Sequence, residues 1–234
     1  MTDSIAMLFD LDGTLIHSSA DIATAVNRML EALDRPRVDL EEVESWIGHG
    51  VEPLIHRSIT RDHHGAVDDD LLERALQIFR PAYLATDFEN TRLAVGAECV
   101  LDALRAAGFP CAIVTNKPGI PTNRILEKFD LADRFQTVIC GDSLPTRKPD
   151  PAPLEHALAV CGASSGWMIG DSDADSAASG AAGLPFIGIH GGYGQDTDAG
   201  KFPCSPILML ESLMELLDEN QRPLEMLSHP PALS

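Results

Sequence analysis

The sequence predicts an α/β fold: a doubly wound, Rossmann-like parallel sheet as the core, with a helical cap domain inserted after the first strand. Two observations predict this architecture. After about residue 90, short apolar runs alternate with helical segments, which is typical of a parallel sheet covered on both faces. Between Thr14 and Asn90 the apolar residues recur only at helical spacing, which indicates an inserted helical region.

The strands are predicted from apolar runs, and the first of them covers residues 5–9. The later runs are residues 111–116, 137–142, 167–171 and 185–190. Helical spacing predicts helices over residues 20–34 and 69–84 in the insert. A further helix over 97–107 should end at Gly108, where glycine can act as a helix cap.

These elements divide the chain into three parts. We expect an α/β core formed by residues 1–16 and 91–234, and a helical cap over residues 17–90. The end of the core, residues 219–234, is rich in proline, so we expect a loosely held, flexible tail there.

Composition indicates the broad class of protein. With 234 residues and 44% hydrophobic content, the chain can bury a substantial core. Its five cysteines are widely spaced and include no CxxC pair, which argues against a disulfide framework or a zinc site and favours a reducing cytoplasm. We see no secretory leader and no apolar run long enough to span a membrane, so we expect neither export nor insertion.

The formal net charge of −19 restricts the possible partners. Such a charge repels nucleic acid and anionic membrane surfaces, so we expect neither as a partner. An anionic small molecule would need strong local positive charge at its site. No feature of the sequence indicates an oligomeric state.

The segment FDLDGTL, residues 9–15, places two carboxylates at the end of the first strand. In extended backbone, residues i and i+2 point the same way, so Asp10 and Asp12 can reach one small volume where parallel sheets bind ligands. Gly13 permits a sharp turn there, and the Thr14 hydroxyl can anchor it. Because close carboxylates repel, the pair implies a shared proton or a cation, and Mg²⁺ suits oxygen ligands.

Other strand ends carry complementary groups. Thr115 and Asn116 can donate hydrogen bonds to an oxyanion, and Lys148 can supply positive charge. Asp171 ends another strand, with Asp175 close behind. Together with the first pair of carboxylates, this set suits phosphoryl transfer through an aspartyl-phosphate.

Residues 171–182 invite an alternative interpretation as an EF-hand calcium loop, because acidic residues alternate at its start. Two positions argue against it: Ser176 stands where glycine is needed, and Ala182 stands where the bidentate glutamate should be. We expect Asp173, inside this segment, to be solvated. The adjacent His63 and His64 would point in different directions on a helix, so we assign them no role.

Four segments resemble, in order, the motifs of the haloacid dehalogenase-like phosphatase superfamily. They are DLDGT at 10–14, TN at 115–116, Lys148 before Pro149, and GDSDAD at 170–175. Longer stretches, including AIVTNKP and IGDSDADSAASGAAG, are similar to members of the superfamily that act on 2-phosphoglycolate. The resemblance implies a Mg²⁺-dependent phosphatase for a small phosphorylated acid.

The resemblance also implies roles for individual residues. Asp10 would be the nucleophile, and Asp12 the acid that protonates the leaving alcohol and then activates water. The Asp10 side chain, the Asp12 backbone carbonyl and Asp171 would hold Mg²⁺, with Asp175 supporting the metal site.

For the substrate, Thr115 and Asn116 would bind the phosphoryl oxygens, and Lys148 would neutralise the nucleophile and the phosphate. The cap would close over the substrate and exclude water. His49, between two glycines in WIGHGVEPLI, lies where relatives read the far end of the substrate; a plain interhelical turn is the alternative.

Departures from the family pattern leave the substrate open. His17 stands where relatives usually have aspartate, and residues 93–98 lack the common Tyr-Pro before Gly96. One alternative is a sugar-phosphate phosphatase or a mutase similar to β-phosphoglucomutase, which Thr14 disfavours because such mutases tend to carry valine there. A more remote alternative is a phospho-accepting receiver module, which is about half this length and has no cap.

Overall fold

The computed structural model describes residues 4–193 and 202–231. Its central feature is a six-stranded sheet formed by β1 (Ile5–Phe9), β4 (Cys111–Val114), β5 (Thr137–Ile139), β6 (Ser165–Gly170), β7 (Phe186–Ile189) and β8 (Leu208–Leu210). The strand order is β5–β4–β1–β6–β7–β8, and every neighbouring pair is parallel. The predicted parallel α/β core is therefore confirmed.

The sequence of β1 suits its central position. It pairs with β4 on one side and β6 on the other, and residues 6–9 have no exposed surface. Because both faces of this strand are covered, its residues form a continuous apolar run without polar alternation. The last strand, β8, was not predicted, since three residues are too few to show a period.

Helices cover both faces of the sheet and fill the inserted region. They are α1 (Ser19–Ala32), α2 (Leu40–Glu44), α3 (Val51–Thr60), α4 (Asp69–Leu84), α5 (Ala97–Ala106), α6 (Gly119–Lys128), α7 (Ala152–Cys161) and α8 (Asp173–Ala181). Short 3₁₀ turns cover Ala132–Arg134, Leu213–Leu216 and Glu225–Ser228. Within the described ranges, no helix combines the length and apolarity needed to cross a membrane.

The helices α1 to α4 lie between two very short strands, β2 (Ile16–His17) and β3 (Arg92–Leu93). These strands pair antiparallel and bring the two ends of the inserted region together. The buried carboxylate of Asp21 ties the same junction, since it accepts hydrogen bonds from Asn90 and Thr91. The sequence predicted only helices in this region. Strand β2 was not predicted, because two residues are too few to show a strand pattern.

Part of the segment expected to be a flexible tail is packed against the core. Leu227 is completely buried, and its carbonyl accepts a hydrogen bond from Trp167 Nε1 at 3.1 Å. Apolar side chains between the prolines thus pack onto the core, which composition alone did not reveal. Residues 232–234 of the predicted tail lie outside the described residues.

The topology gathers the polar strand ends at one edge. Strands β4, β1 and β6 are adjacent and parallel, so Thr115, Asp10 and Asp171 follow neighbouring strands at the same carboxyl edge. Ligands of open parallel sheets bind at this edge. The fold therefore concentrates the candidate residues without long loops.

Candidate active site

A buried lysine joins two of the predicted carboxylates. Lys148 Nζ donates to Asp10 Oδ1 at 2.9 Å and to Asp175 Oδ1 at 2.5 Å. All three side chains are buried. Burial lowers the pKa of Lys148, but the attraction of Asp10 and Asp175 outweighs this effect and raises it overall, so the ammonium stays charged. Among the described residues, no hydrogen bond reaches Asp10 Oδ2, which leaves that oxygen available for reaction.

Asp171 completes a cluster of acids with Asp10 and Asp175, whose carboxylate oxygens lie within 4.8 Å of one another. Thr14 Oγ1 donates to Asp171 Oδ1 at 2.7 Å, and the backbone N–H of Tyr193 donates to Oδ2 at 2.6 Å. These bonds fix the carboxylate against the turn after β1. A Cβ at position 13 would collide with Asp171, and φ is +91° there, so only glycine fits that turn.

The charges of this cluster fit a bound cation. Burial raises the pKa of Asp10 to about 7, and the Asp175 charge adds to the effect while Lys148 opposes it. Burial and the charges of Asp10 and Asp175 likewise raise the pKa of Asp171. Lys148 bonds to Asp10 and Asp175, and a divalent cation would relieve the repulsion that remains among the three acids.

Asp175 is already engaged on both oxygens. Besides Lys148 on Oδ1, the backbone N–H and hydroxyl of Ser172 donate to Oδ2 at 3.0 and 2.7 Å. Asp175 therefore holds Lys148 and the start of α8 in place, whereas the described residues engage Asp10 only through Oδ1.

A second buried lysine, Lys117, contacts Asp12. Its Nζ lies 2.9 Å from both carboxylate oxygens of Asp12, and Ser18 Oγ donates to Oδ1 of the same group. Lys117 Nζ also donates to the Tyr83 hydroxyl, on helix α4 of the insert, at 2.6 Å. Burial lowers the pKa of Lys117, but the Asp12 charge and the Tyr83 contact raise it overall, so this lysine is an ammonium.

Sequence reasoning missed Lys117. A signal was present, because the residue directly follows Thr115 and Asn116 at the end of β4. The direction of the Lys117 side chain was not predictable from that position, since it depends on where the fold places Tyr83 and Asp12.

Thr115 and Asn116 differ in what they offer a phosphoryl group. Thr115 Oγ1 accepts from the backbone N–H of Lys117 at 3.2 Å and keeps its own proton to donate. The Asn116 side chain donates both amide protons to backbone carbonyls, of Gly48 and Lys148, each at 2.9 Å. Its Oδ1 is buried without a partner among the described residues. In this arrangement the side chain of Asn116 does not provide the donor expected from the sequence.

His49, for which the sequence left two interpretations open, pairs with a residue of the core. Its Nε2 lies 3.3 Å from Asp173 Oδ1 on α8, and Arg57 Nη1 lies 3.4 Å from its Nδ1. The side chain thus contacts the surface of the core and is not among the residues lining the cavity described below, although Gly48 and Gly50 are. Asp173, expected to be solvated, keeps about half of its side chain exposed and also pairs with His49.

A cavity of about 450 Å³ opens over the site between the insert and the core. The core lines it with Asp10, Asp12, Thr115 and Lys117, and the insert contributes apolar side chains and Tyr83. Its volume suits a small metabolite. The arrangement places an available carboxylate oxygen of Asp10 and the Lys117 ammonium at the cavity, with the candidate cation site beside it, as displacement at phosphorus requires.

Comparison with known proteins agrees with this geometry. The family model of the haloacid dehalogenase-like hydrolases matches residues 7–189. The chain belongs to that family.

Relatives and solved structures are similar over most of the chain. A phosphoglycolate phosphatase of Nitrosospira multiformis is 41% identical over 205 residues, 87% of this chain and 90% of the relative. One of Neisseria gonorrhoeae is 39% identical over 82% of each chain. A crystal structure of a predicted phosphoglycolate phosphatase from Haemophilus somnus has a TM-score of 0.80 and 27% identity, covering 92% of this chain and 97% of that one.

Proposed function

We propose that this chain is a Mg²⁺-dependent phosphatase that hydrolyses 2-phosphoglycolate to glycolate and phosphate through an aspartyl-phosphate on Asp10. The similar relatives named phosphoglycolate phosphatase support the substrate. One observation carries the reaction: Asp10 is buried at a cavity, Lys148 holds its Oδ1, and no described residue forms a hydrogen bond with its Oδ2.

The first step forms the phosphoenzyme. Asp10 Oδ2 attacks phosphorus, and the bond between phosphorus and the glycolate oxygen breaks. Asp12 gives a proton to that oxygen, so glycolate leaves as the alcohol. In the second step Asp12 takes a proton from water, the water oxygen attacks phosphorus, and the bond to Asp10 breaks to release phosphate.

The surrounding groups stabilise the charge on the transferring phosphoryl group. Lys148 lies beside the attacking carboxylate, and the hydroxyl of Thr115 can donate to a phosphoryl oxygen. Since the side-chain donors of Asn116 are engaged, its backbone N–H is the group it has left for the phosphoryl oxygens.

The side chains of Asp10 and Asp171, with the backbone carbonyl of Asp12, would hold Mg²⁺. When bound, the ion supplies positive charge that offsets the anionic substrate and the carboxylates. Asp175 keeps Lys148 directed at Asp10 through its 2.5 Å contact.

Phosphate release from a set of small phosphomonoesters tests the proposal. We expect 2-phosphoglycolate to give a higher kcat/KM than sugar phosphates in the presence of Mg²⁺. Asp10→Asn keeps the size of the side chain but removes the nucleophile, so kcat should fall by at least about a thousandfold.

Asp102→Asn is the matched control, because Asp102 lies on the surface and pairs with Arg134. It should retain wild-type activity. Substantial phosphate release by Asp10→Asn would reject the nucleophile, and a clear preference for a sugar phosphate would reject the proposed substrate.

A further inference from the structure

Lys117 has no part in the proposed chemical steps, although it lines the same cavity as Asp10. Its side chain is only 3% exposed. Burying an ammonium is costly unless its partners compensate, so a lysine in this place needs a reason. Its partners are the carboxylate of Asp12 and the hydroxyl of Tyr83.

We propose that Lys117, assisted by Tyr83, binds the second anionic group of the substrate and thereby selects phosphomonoesters that carry a carboxylate. This inference rests on the proposed function, since it assigns the group that recognises the acid end of 2-phosphoglycolate. Lys117 is then a specificity-determining residue, and Tyr83 is a positioning residue that also offers a donor.

The position of Lys117 suits a short substrate. Its ammonium pairs with the carboxylate of Asp12. Asp12 is two residues from Asp10, so the Cα atoms of these two acids are at most about 7 Å apart. A phosphoryl group at Asp10 therefore places the carboxylate of a two-carbon acid within the neighbourhood of Lys117.

Tyr83 adds a second donor to the same point. Its hydroxyl accepts from Lys117 and so keeps its own proton to donate. Burial raises the pKa of Tyr83 to about 12, which keeps the hydroxyl protonated. The ring is fixed by stacking on Phe79, with centroids 5.8 Å apart, and by an edge contact with Phe88 at 5.4 Å.

Among the described residues, two other cations line the cavity, and both are more exposed than Lys117. Arg147 has a side chain 39% exposed and a long contact of 3.8 Å with Glu52, and Arg80 is on the exposed face of α4. Solvent and salt weaken ion pairs at such positions. The buried ammonium of Lys117 offers the stronger discrimination between a charged and a neutral group.

The carboxylate of Asp12 pairs with the ammonium of Lys117 when no substrate is bound. A carboxylate of the substrate can replace it on the ammonium, so Lys117 exchanges one carboxylate for another and is never left unpaired. The exchange also frees Asp12 to face the leaving oxygen. An ester without a carboxylate does not drive this exchange, which adds to the selectivity.

Equilibrium binding to the full-length Asp10→Asn protein tests the inference without turnover. The ligands are 2-phosphoglycolate and 2-hydroxyethyl phosphate, which has a neutral CH₂OH group in place of the carboxylate, both titrated calorimetrically with MgCl₂ present. We expect 2-phosphoglycolate to bind about 10- to 100-fold more tightly, as a charged hydrogen-bonded contact provides.

Variants are then compared in that background. Lys117→Gln should bring the affinity ratio close to one, and Tyr83→Phe, which keeps the stacked ring, should reduce it by about 2- to 10-fold. Arg80→Gln, the matched removal of an exposed charge from the same cavity, should leave the ratio unchanged. An unchanged ratio in Lys117→Gln, or its loss in Arg80→Gln, overturns the inference.

The remaining outcomes also test the role of Lys117. If Lys117→Gln does not fold, Tyr83→Phe is the deciding variant, and an unaltered ratio overturns the inference. Absence of any preference for the carboxylate in Asp10→Asn overturns it as well. Failure of the proposed function is a separate result, namely no phosphate release from 2-phosphoglycolate by the wild-type protein.

Discussion

Burial distinguishes the cysteines of this chain chemically. Cys111, at the start of β4, is buried, and burial, with a smaller contribution from Cys161, raises the pKa of its thiol to about 12. Cys99 lies exposed on α5. Since the thiolate is the reactive form, the two residues should differ widely in reactivity.

We expect iodoacetamide at pH 8 to modify Cys99 and to leave Cys111 unmodified in the folded protein. With a pKa of about 12, only about one Cys111 thiol in ten thousand is ionised at pH 8, and burial also blocks access. Peptide mapping by mass spectrometry measures both residues, and modification in urea provides the control. Equal labelling of both in the native protein would contradict the assignment of burial.

At the scale of elements, the sequence predicts features that depend on one helix or strand alone. The run at β1 and the helical spacing of α4 were predictable because burial imposes their patterns locally. The residues at strand ends could be placed at one edge because parallel strands share their direction. The pairing of His49 with Asp173 and the inward direction of Lys117 could not be predicted, since each depends on contact between the insert and the core.

The packed end of the chain gives a test at this scale. Leu227 is completely buried, so Leu227→Ala should lower the free energy of unfolding by about 2–5 kcal/mol, measured by urea denaturation. Leu40→Ala is the matched control, because Leu40 is 44% exposed and its loss should cost less than about 1 kcal/mol. Equal effects of the two substitutions would show that the end of the chain is not part of the core.

For the whole molecule, the net negative charge contrasts with two positive side chains that are buried at the site. The chain carries a formal net charge of −19, yet two buried lysines, Lys117 and Lys148, lie at the site. The overall charge disfavours polyanionic partners, whereas the buried ammonium groups favour a small anion that reaches the cavity. The mutual repulsion of the three buried acids at the candidate cation site links metal binding to the stability of the folded chain.

Mg²⁺ should therefore stabilise the folded protein beyond its effect on ionic strength. At a Mg²⁺ concentration about 100 times Kd, binding to the native state alone adds about 2.7 kcal/mol to the free energy of unfolding. This gain corresponds to a rise of several degrees in Tm. Calorimetry in MgCl₂ and in NaCl of equal ionic strength separates the specific effect from screening, which also reduces the self-repulsion of an acidic chain. Asp171→Asn should lose the specific part, because it removes a carboxylate of the buried cluster, while Asp102→Asn on the surface should keep it. Equal Tm values in the two salts for the wild-type protein would mean that the cluster does not bind Mg²⁺, and the repulsion between its acids would then have to be relieved by protonation instead.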